Sequence, residues 1–362
     1  MSDIVISGYY GLGNSGDEAL LESIVSDIRS LAPDVTVTAL SGNVNLTKEK
    51  YSISTVNRFN PFAVIRELRK AKLLISGGGT LIQDATSTKS LLYYLGIIYL
   101  AKKFGLKVML YANGMGPIKD KNVKKVEKVL NKVDLITLRE NESLEEIKRC
   151  NINDPRVYVT ADPAFKLKAA SPERAKELLR GAGVPENAKV ISVSVRDWKD
   201  NDSAFEQQMA NALDIAAENG YFPLFIPMQL SRDLEISKNI SCRMKSKSAI
   251  MDEEIEVADM LAVIGECTLS CGMRLHMLIF SSVMNVPMVG IAYDPKIKGF
   301  MEYMGQKAYV NLENFDGNEF AQLILKCDKE EIEIKKSLYK TTSVLKNKAN
   351  ENVSLAISLL EL

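Results

Sequence analysis

Residues 3–21 read DIVISGYYGLGNSGDEALL. The run at 4–6 is apolar and β-branched like a buried strand, glycines recur at Gly11, Gly13 and Gly16, and an amphipathic segment opens at Asp17. Strand, glycine-rich turn and helix in that order predict a Rossmann-like unit whose ligand lies beyond the carboxyl end of the strand. Outward from this stretch the pattern repeats. Helices expected over 17–31, 62–71, 87–104, 121–132 and 143–149 alternate with the strand-like VTVTAL, KLLISGGG, KVMLYANGMG, LITLRE and VYVTADPAF. After a weakly patterned linker at 162–172 the alternation restarts with KVISVSVRDW, YFPLFIPM and SAIMD, and runs on to VPMVGIAYD and KAYVNLE. Such alternation requires crossover connections and a parallel sheet covered on both faces. The expected fold class is α/β, with two Rossmann-like domains facing a cleft. Their expected limits are 1–165 and 173–340, followed by a C-terminal helix at 341–362.

Composition narrows the function classes. Hydrophobic residues make up 46% and charged residues 25% of the 362, which disfavours a disordered, collagenous or membrane-spanning chain. Lys plus Arg and Asp plus Glu both count 46, so no global field points to nucleic acid, although a local basic pocket remains compatible with the balance. His276 is the one histidine, which excludes any site built on several imidazoles. The five cysteines are scattered without a C-x-x-C pair; Cys267 and Cys271 read as buried small side chains, and no metal site is expected. The N-terminus carries an acid at position 3 and lacks the basic-then-apolar order of a signal peptide, so export by that route is not expected. The longest apolar stretch, at 91–101, is shorter than the ~18 residues of a membrane span and reads as a buried helix, with lipid contact as the alternative.

Candidate chemistry sits in the loops after the strands. G-x-G-x-x-G invites a dinucleotide, but VTVTAL ends in Ser41 and Gly42 rather than in the acid that would hold a ribose. The other reading is a turn that offers helix-start N–H groups to an anion or sugar, with Asn14 and Ser15 as donors. Glu18 is accounted for by the helix dipole; Asp17 is left open. Gly77, Gly78 and Gly79 follow a second buried strand, and NGMGP at 113–117 repeats the theme. Arg139 and Arg196 end strands, where each meets either a ligand anion or a neighbouring Glu140 or Asp197. Trp198 stacks on a sugar or fills a core edge. The densest segment is CGMRLHMLIF followed by YDPKIKGF, where Arg274, His276, Lys296 and Lys298 are suited to converge on one anion.

GNSGDEAL, GGGTLIQD, the arginine of LITLRENES, GMRLH and YDPKIKGF together resemble the polysaccharide pyruvyl transferase family, in particular its bacterial cell-wall-anchoring CsaB type. The resemblance covers nearly the whole chain. It implies a GT-B-like architecture and transfer of a pyruvyl group from phosphoenolpyruvate, a co-substrate, to a sugar. The product would be a 4,6-ketal on N-acetylmannosamine of a lipid-linked wall-polymer precursor, made without metal or cofactor, and the finished polymer would anchor surface-layer proteins. It further implies a cytoplasmic enzyme, peripheral at the inner face of the membrane, with no nucleic-acid partner. By the same resemblance Arg139, Arg274 and His276 match phosphoenolpyruvate-binding positions, Lys296 a basic position after the last motif strand and Asp17 an acid of the glycine-rich loop. The resulting expectation makes His276 and Asp17 catalytic, Arg139, Arg274, Leu275 and Lys296 donor-binding, and Gly13, Asn14, Gly78 and Gly79 acceptor loops. The alternatives are a GT-B glycosyltransferase using a nucleotide sugar, with Glu266 on the ribose, and a non-catalytic glycan-binding protein.

Overall fold

The computed structural model describes residues 2–85, 87–199 and 202–360. It divides into two compact units, 1–166 with 345–362, and 167–344. The first unit runs β1 (Ile4–Tyr10), α1 (Ser15–Leu31), β2 (Val37–Ser41), α2 (Val44–Tyr51), β3 (Ser54–Asn57), α3 (Pro61–Leu68), β4 (Leu73–Gly77) and α4 (Thr88–Lys103). It continues through β5 (Lys107–Asn113), α5 (Asp120–Leu130), β6 (Leu135–Leu138), α6 (Glu142–Arg149) and β7 (Arg156–Val159). These strands form one parallel sheet in the order β3-β2-β1-β4-β5-β6-β7.

Both faces of that sheet are buried, and the period-two alternation of a strand sorts the side chains between them. Ile4, Ile6, Leu73, Ile75, Met109 and Tyr111 pack on one side with Leu21, Ile24 and Ile28 of α1. Val5, Leu74, Val108 and Leu110 pack on the other with Leu91, Leu95 and Ile98 of α4. The 91–101 stretch is thus a core helix, as its length suggested, and only Leu92 and Tyr99 of its large apolar residues stay exposed. Among the described residues no helix is long and apolar enough to cross a membrane.

The second unit contains α7 (Pro172–Gly181), β8 (Lys189–Ser194), α8 (Ser203–Glu218), β9 (Tyr221–Phe225), α9 (Leu230–Arg243), β10 (Ala249–Ile250), α10 (Val257–Gly265) and β11 (Leu269–Gly272). After these come α11 (Leu275–Val283), β12 (Met288–Ala292), α12 (Pro295–Tyr303), β13 (Tyr309–Asn311), α13 (Gly317–Lys329) and α14 (Glu331–Ser358). Its sheet is also parallel, in the order β10-β9-β8-β11-β12-β13.

The final helix begins earlier than the expected 341, and the last two residues of the chain lie outside the described ones. Its first half belongs to the second unit and its second half to the first. There Val353, Ala356 and Leu359 complete the core around α1. Asn352 is fully buried, accepts from the Thr160 hydroxyl at 2.7 Å and donates to the Ala161 carbonyl at 3.0 Å. Replacing it leaves the buried Ala161 carbonyl without its donor and the Thr160 hydroxyl with only the longer bond to the Leu138 carbonyl, so Asn352→Ala is expected to lower stability by about 1–3 kcal/mol in urea unfolding. An unchanged midpoint would remove this anchoring role.

Candidate active site

In each sheet the crossovers reverse direction once. From β1 the chain moves outward to β2 and β3, then returns to place β4 on the other side; from β8 it moves to β9 and β10, then returns to β11. At such a switch point the loops leaving two adjacent strands diverge and open a crevice at the carboxyl edge of the sheet. The candidate residues other than Arg139 fall around these two points.

At the β1/β4 point, Gly11 and Gly13 take the left-handed φ values of 68° and 67°. The Asn14 side chain caps α1 by accepting from the Gly16 N–H at 3.0 Å. Glu18 turns back on the loop: one oxygen accepts from the Gly11 N–H at 2.7 Å, the other from the Tyr51 hydroxyl at 2.9 Å. Its role is to fix the turn. Asp17, one residue earlier, is half-buried and faces the second loop, where a Cβ placed on Gly79 would stand 3.3 Å from its carboxylate. Gly78 serves packing, since a Cβ there would come within 2.8 Å of Leu20. The Asn113 side chain donates to the Gly78 carbonyl at 3.1 Å, so the three glycine-bearing loops meet along one edge. Gly13, Asn14, Asp17, Gly78 and Gly79 are accordingly gathered at this point.

Arg139 stands at the end of β6, two strands from β4, buried in an ion cluster. It donates to Glu140 at 2.8 Å, to Asp162 at 3.1 Å and to the Thr80 hydroxyl at 3.1 Å. Burial works against its charge, but the two carboxylates outweigh it and hold the pKa above the usual guanidinium value. The donor-binding role expected of Arg139 requires exchange of one of these partners.

At the β8/β11 point, the turn after β11 and the start of α11 carry Arg274, Leu275 and His276, while the loop after β8 carries Arg196 and Trp198. Arg274 occupies the N-cap position of α11 without a capping side-chain bond, and its guanidinium grips Asp233 with contacts of 2.9 and 2.5 Å. Asp233, in the first turn of α9, is fully buried and also accepts from the Gln229 N–H at 3.0 Å. Leu275 therefore opens a helix whose cap residue points elsewhere, and His276 follows it in the first turn, half-buried, with its ring 6.1 Å from that of Phe280. Just after β12, Tyr293 accepts a hydrogen bond from Arg196 at 2.8 Å, and its ring meets that of Trp198 at a tilt, with centroids 4.8 Å apart. Lys296 lies 5.4 Å over the Tyr293 ring and 3.5 Å from the carboxylate of Asp294, the cap of α12. Lys298 is exposed and pairs loosely with Glu302.

Folding gives some residues other partners than their chain neighbours. Arg196 engages Trp198 and Tyr293, residues of two different loops, in addition to any neighbour along the chain. Glu266 caps the end of α10 just before β11, which puts it at the amino edge of the sheet, opposite the switch-point loops; it is wrongly placed for a ribose there. Asp233, Gln229 and Tyr293 were missed, for they sit at unremarkable helix and strand ends and become partners only through folding. Cys267 and Cys271 are buried, as expected.

Two parallel sheets with ligand-type loops at their carboxyl edges define a GT-B-like α/β architecture. A glycosyltransferase from Rickettsia africae shares the fold at a TM-score of 0.67, with 14% identity and 99% of each chain covered. Anabaena HepE, solved with UDP-glucose, gives 0.62 and 12%, covering 99% of this chain and 97% of that one. The amylovoran biosynthesis protein AmsJ of Erwinia amylovora is 23% identical over 256 residues, which is 66% of this chain but only 61% of AmsJ. The profile of the polysaccharide pyruvyl transferase family matches residues 14–295, so the chain belongs to that family.

Two outcomes test this geometry. Asp233→Ala leaves the Arg274 guanidinium buried without its counter-charge and is expected to cost about 3–5 kcal/mol in urea unfolding, whereas Asp233→Leu with Arg274→Met recovers most of the loss. The thiols provide the second. Burial pushes Cys150 and Cys327 up to about 11, Cys267 to about 12, and Cys271 well above its ordinary value, so at pH 8 these four stay protonated. Exposed Cys242 alone should react rapidly with a disulfide reagent in the native protein; a fast phase of more than one thiol contradicts this burial pattern.

Proposed function

We propose that this protein transfers the pyruvyl group of phosphoenolpyruvate to the 4- and 6-hydroxyls of an N-acetylmannosamine residue on a lipid-linked wall-polymer precursor. The observation that carries the reading is the β8/β11 loop of a family member, where His276 enters the first turn of an uncapped helix beside Arg274. Phosphoenolpyruvate bears a phosphate and a carboxylate, and helix-start amides with fixed cations suit both. Leu275 contributes its backbone N–H and Lys296 its charge, while Arg274 and Arg139 contribute theirs once a carboxylate partner is exchanged for the donor.

The reaction balances without water. A proton is added to the methylene carbon of the donor, one sugar hydroxyl oxygen bonds to the adjacent carbon, the bond to phosphate breaks, and the second hydroxyl closes the ketal. Of the two hydroxyl protons, one matches that taken up by the methylene carbon and one leaves with phosphate. His276 is assigned the proton delivered on the donor side, and Asp17 the proton removed from the acceptor. Gly13, Asn14, Gly78 and Gly79 line the acceptor loops in this scheme. No metal or cofactor is needed, because cations and amides supply the charge that phosphate departure calls for. The lipid-linked acceptor places the work peripherally at the inner face of the cytoplasmic membrane, and the product serves surface-layer anchoring.

Incubation with phosphoenolpyruvate and a β-N-acetylmannosaminyl lipid acceptor should release phosphate and yield a pyruvylated acceptor by mass, undiminished by chelator. With saturating donor, His276→Ala and Asp17→Asn should each lower kcat by about 10²–10⁴-fold. Product formed only with a nucleotide sugar would replace this reading by glycosyl transfer, and near wild-type turnover of either variant would cancel its assigned role.

A further inference from the structure

Arg58 follows β3 at the edge of the first sheet, two strands away from β1. Strand spacing puts that gap at about 10 Å. Its backbone N–H is tied to the Ser41 carbonyl, yet the side chain reaches inward until one terminal nitrogen donates to the Gly8 carbonyl of β1 at 2.6 Å and the other to the Tyr94 hydroxyl of α4 at 3.2 Å. The guanidinium therefore arrives beside β1 and the helix that follows β4. Aromatic rings surround it: Tyr93 at 4.8 Å, Phe59 and Tyr94 at 5.6 Å, and Tyr9 at 5.8 Å.

The residue is only 7% exposed, but among the described residues no carboxylate forms an ion pair with it, and its buried Nε–H has no hydrogen-bond acceptor. Asp17 acts through space on the Tyr94 phenol rather than on Arg58 by contact. Arg139 and Arg274, the two arginines whose motifs stand out in the sequence, are each matched by carboxylates. Burying a cation without a counter-charge is costly, and here the Tyr94 and Tyr93 oxygens and the ring faces, rather than an acid, outweigh that burial and keep the guanidinium charged. A cation without a counter-charge at the carboxyl edge, with one donor idle, is what a ligand oxyanion would complete.

We propose that Arg58 binds an oxyanion of the ligand held at the β1/β4 switch point, a phosphate ester or a carboxylate carried by the acceptor saccharide. Choosing the acceptor as its bearer rests on the function proposed above; the anion site itself does not. The test is calorimetric binding to the full-length protein of a hexosamine 1-phosphate, the same hexosamine unphosphorylated, a hexuronate, inorganic phosphate and phosphoenolpyruvate. Arg58→Met should weaken the acidic sugar about 10- to 100-fold, the size of one charge-assisted hydrogen-bonded contact, while affinity for phosphoenolpyruvate and for the neutral sugar holds. Loss for the sugar phosphate alone identifies a phosphoryl group, and loss for the hexuronate alone identifies a carboxylate. Equal loss for the neutral sugar, or no loss for either acidic sugar, overturns the proposal. If inorganic phosphate and phosphoenolpyruvate weaken with Arg58→Met while both acidic sugars hold, the anion belongs to the donor and the acceptor assignment is overturned. Should Arg58→Met fail to fold, Arg58→Lys, which keeps the charge but loses the fork, takes its place, and unchanged affinity for both acidic sugars in that variant is the negative result. Wild type that binds the acidic sugar but not phosphoenolpyruvate would remove the proposed donor and leave the Arg58 site standing.

Discussion

A parallel strand can be reached only by a crossover, and a sheet buried on both faces must send those crossovers over each face in turn. Where the direction reverses, the loops after two neighbouring strands lead apart and no segment covers the gap between them. This chain contains that reversal in each sheet, between β1 and β4 and between β8 and β11. Everything chemically notable depends on it. The glycines of the first unit let a helix and two loops approach closely at one reversal, with Asp17 facing Gly79. At the other, an aromatic and cationic group from β8 and β12 flanks the helix start that carries His276.

Charge compensation then separates the arginines that hold the edges from those that remain available to a ligand. Arg139 is wrapped by Glu140, Asp162 and Thr80, and in doing so ties the loops after β4, β6 and β7 together. Arg274 is locked to Asp233, which steadies the entry to α11 against α9. Arg58 has rings and neutral oxygens in place of acids. A chain with equal numbers of acidic and basic residues thus distributes its charge unevenly at the scale that matters for binding.

The glycine-punctuated strands were legible because each is a run of apolar residues buried on both faces, the pattern that DIVISG, KLLISGGG and KVMLYANGMG share. The same criterion passed over α2 and β3. The latter, Ser54–Asn57, is an exposed edge strand of serine, threonine, valine and asparagine, so no apolar run announces it. With it went Arg58, whose importance comes from where the guanidinium ends rather than from any motif around it.

The sequence by itself determined the α/β class, the two-unit organisation, the buried fate of the 91–101 helix and which loops carry glycine, arginine and the lone histidine, since these follow from local periodicity and residue type. Only the tertiary structure decided which charges are already spent. Arg274 and Asp233 lie 41 positions apart, and Arg58 and Gly8 lie 50 apart. Glu266 reads as a candidate acid along the chain yet stands at the wrong end of its strand. Local sequence carries propensity and pattern, whereas counter-ions, idle donors and strand ends are set by long-range packing, which adjacent residues do not encode.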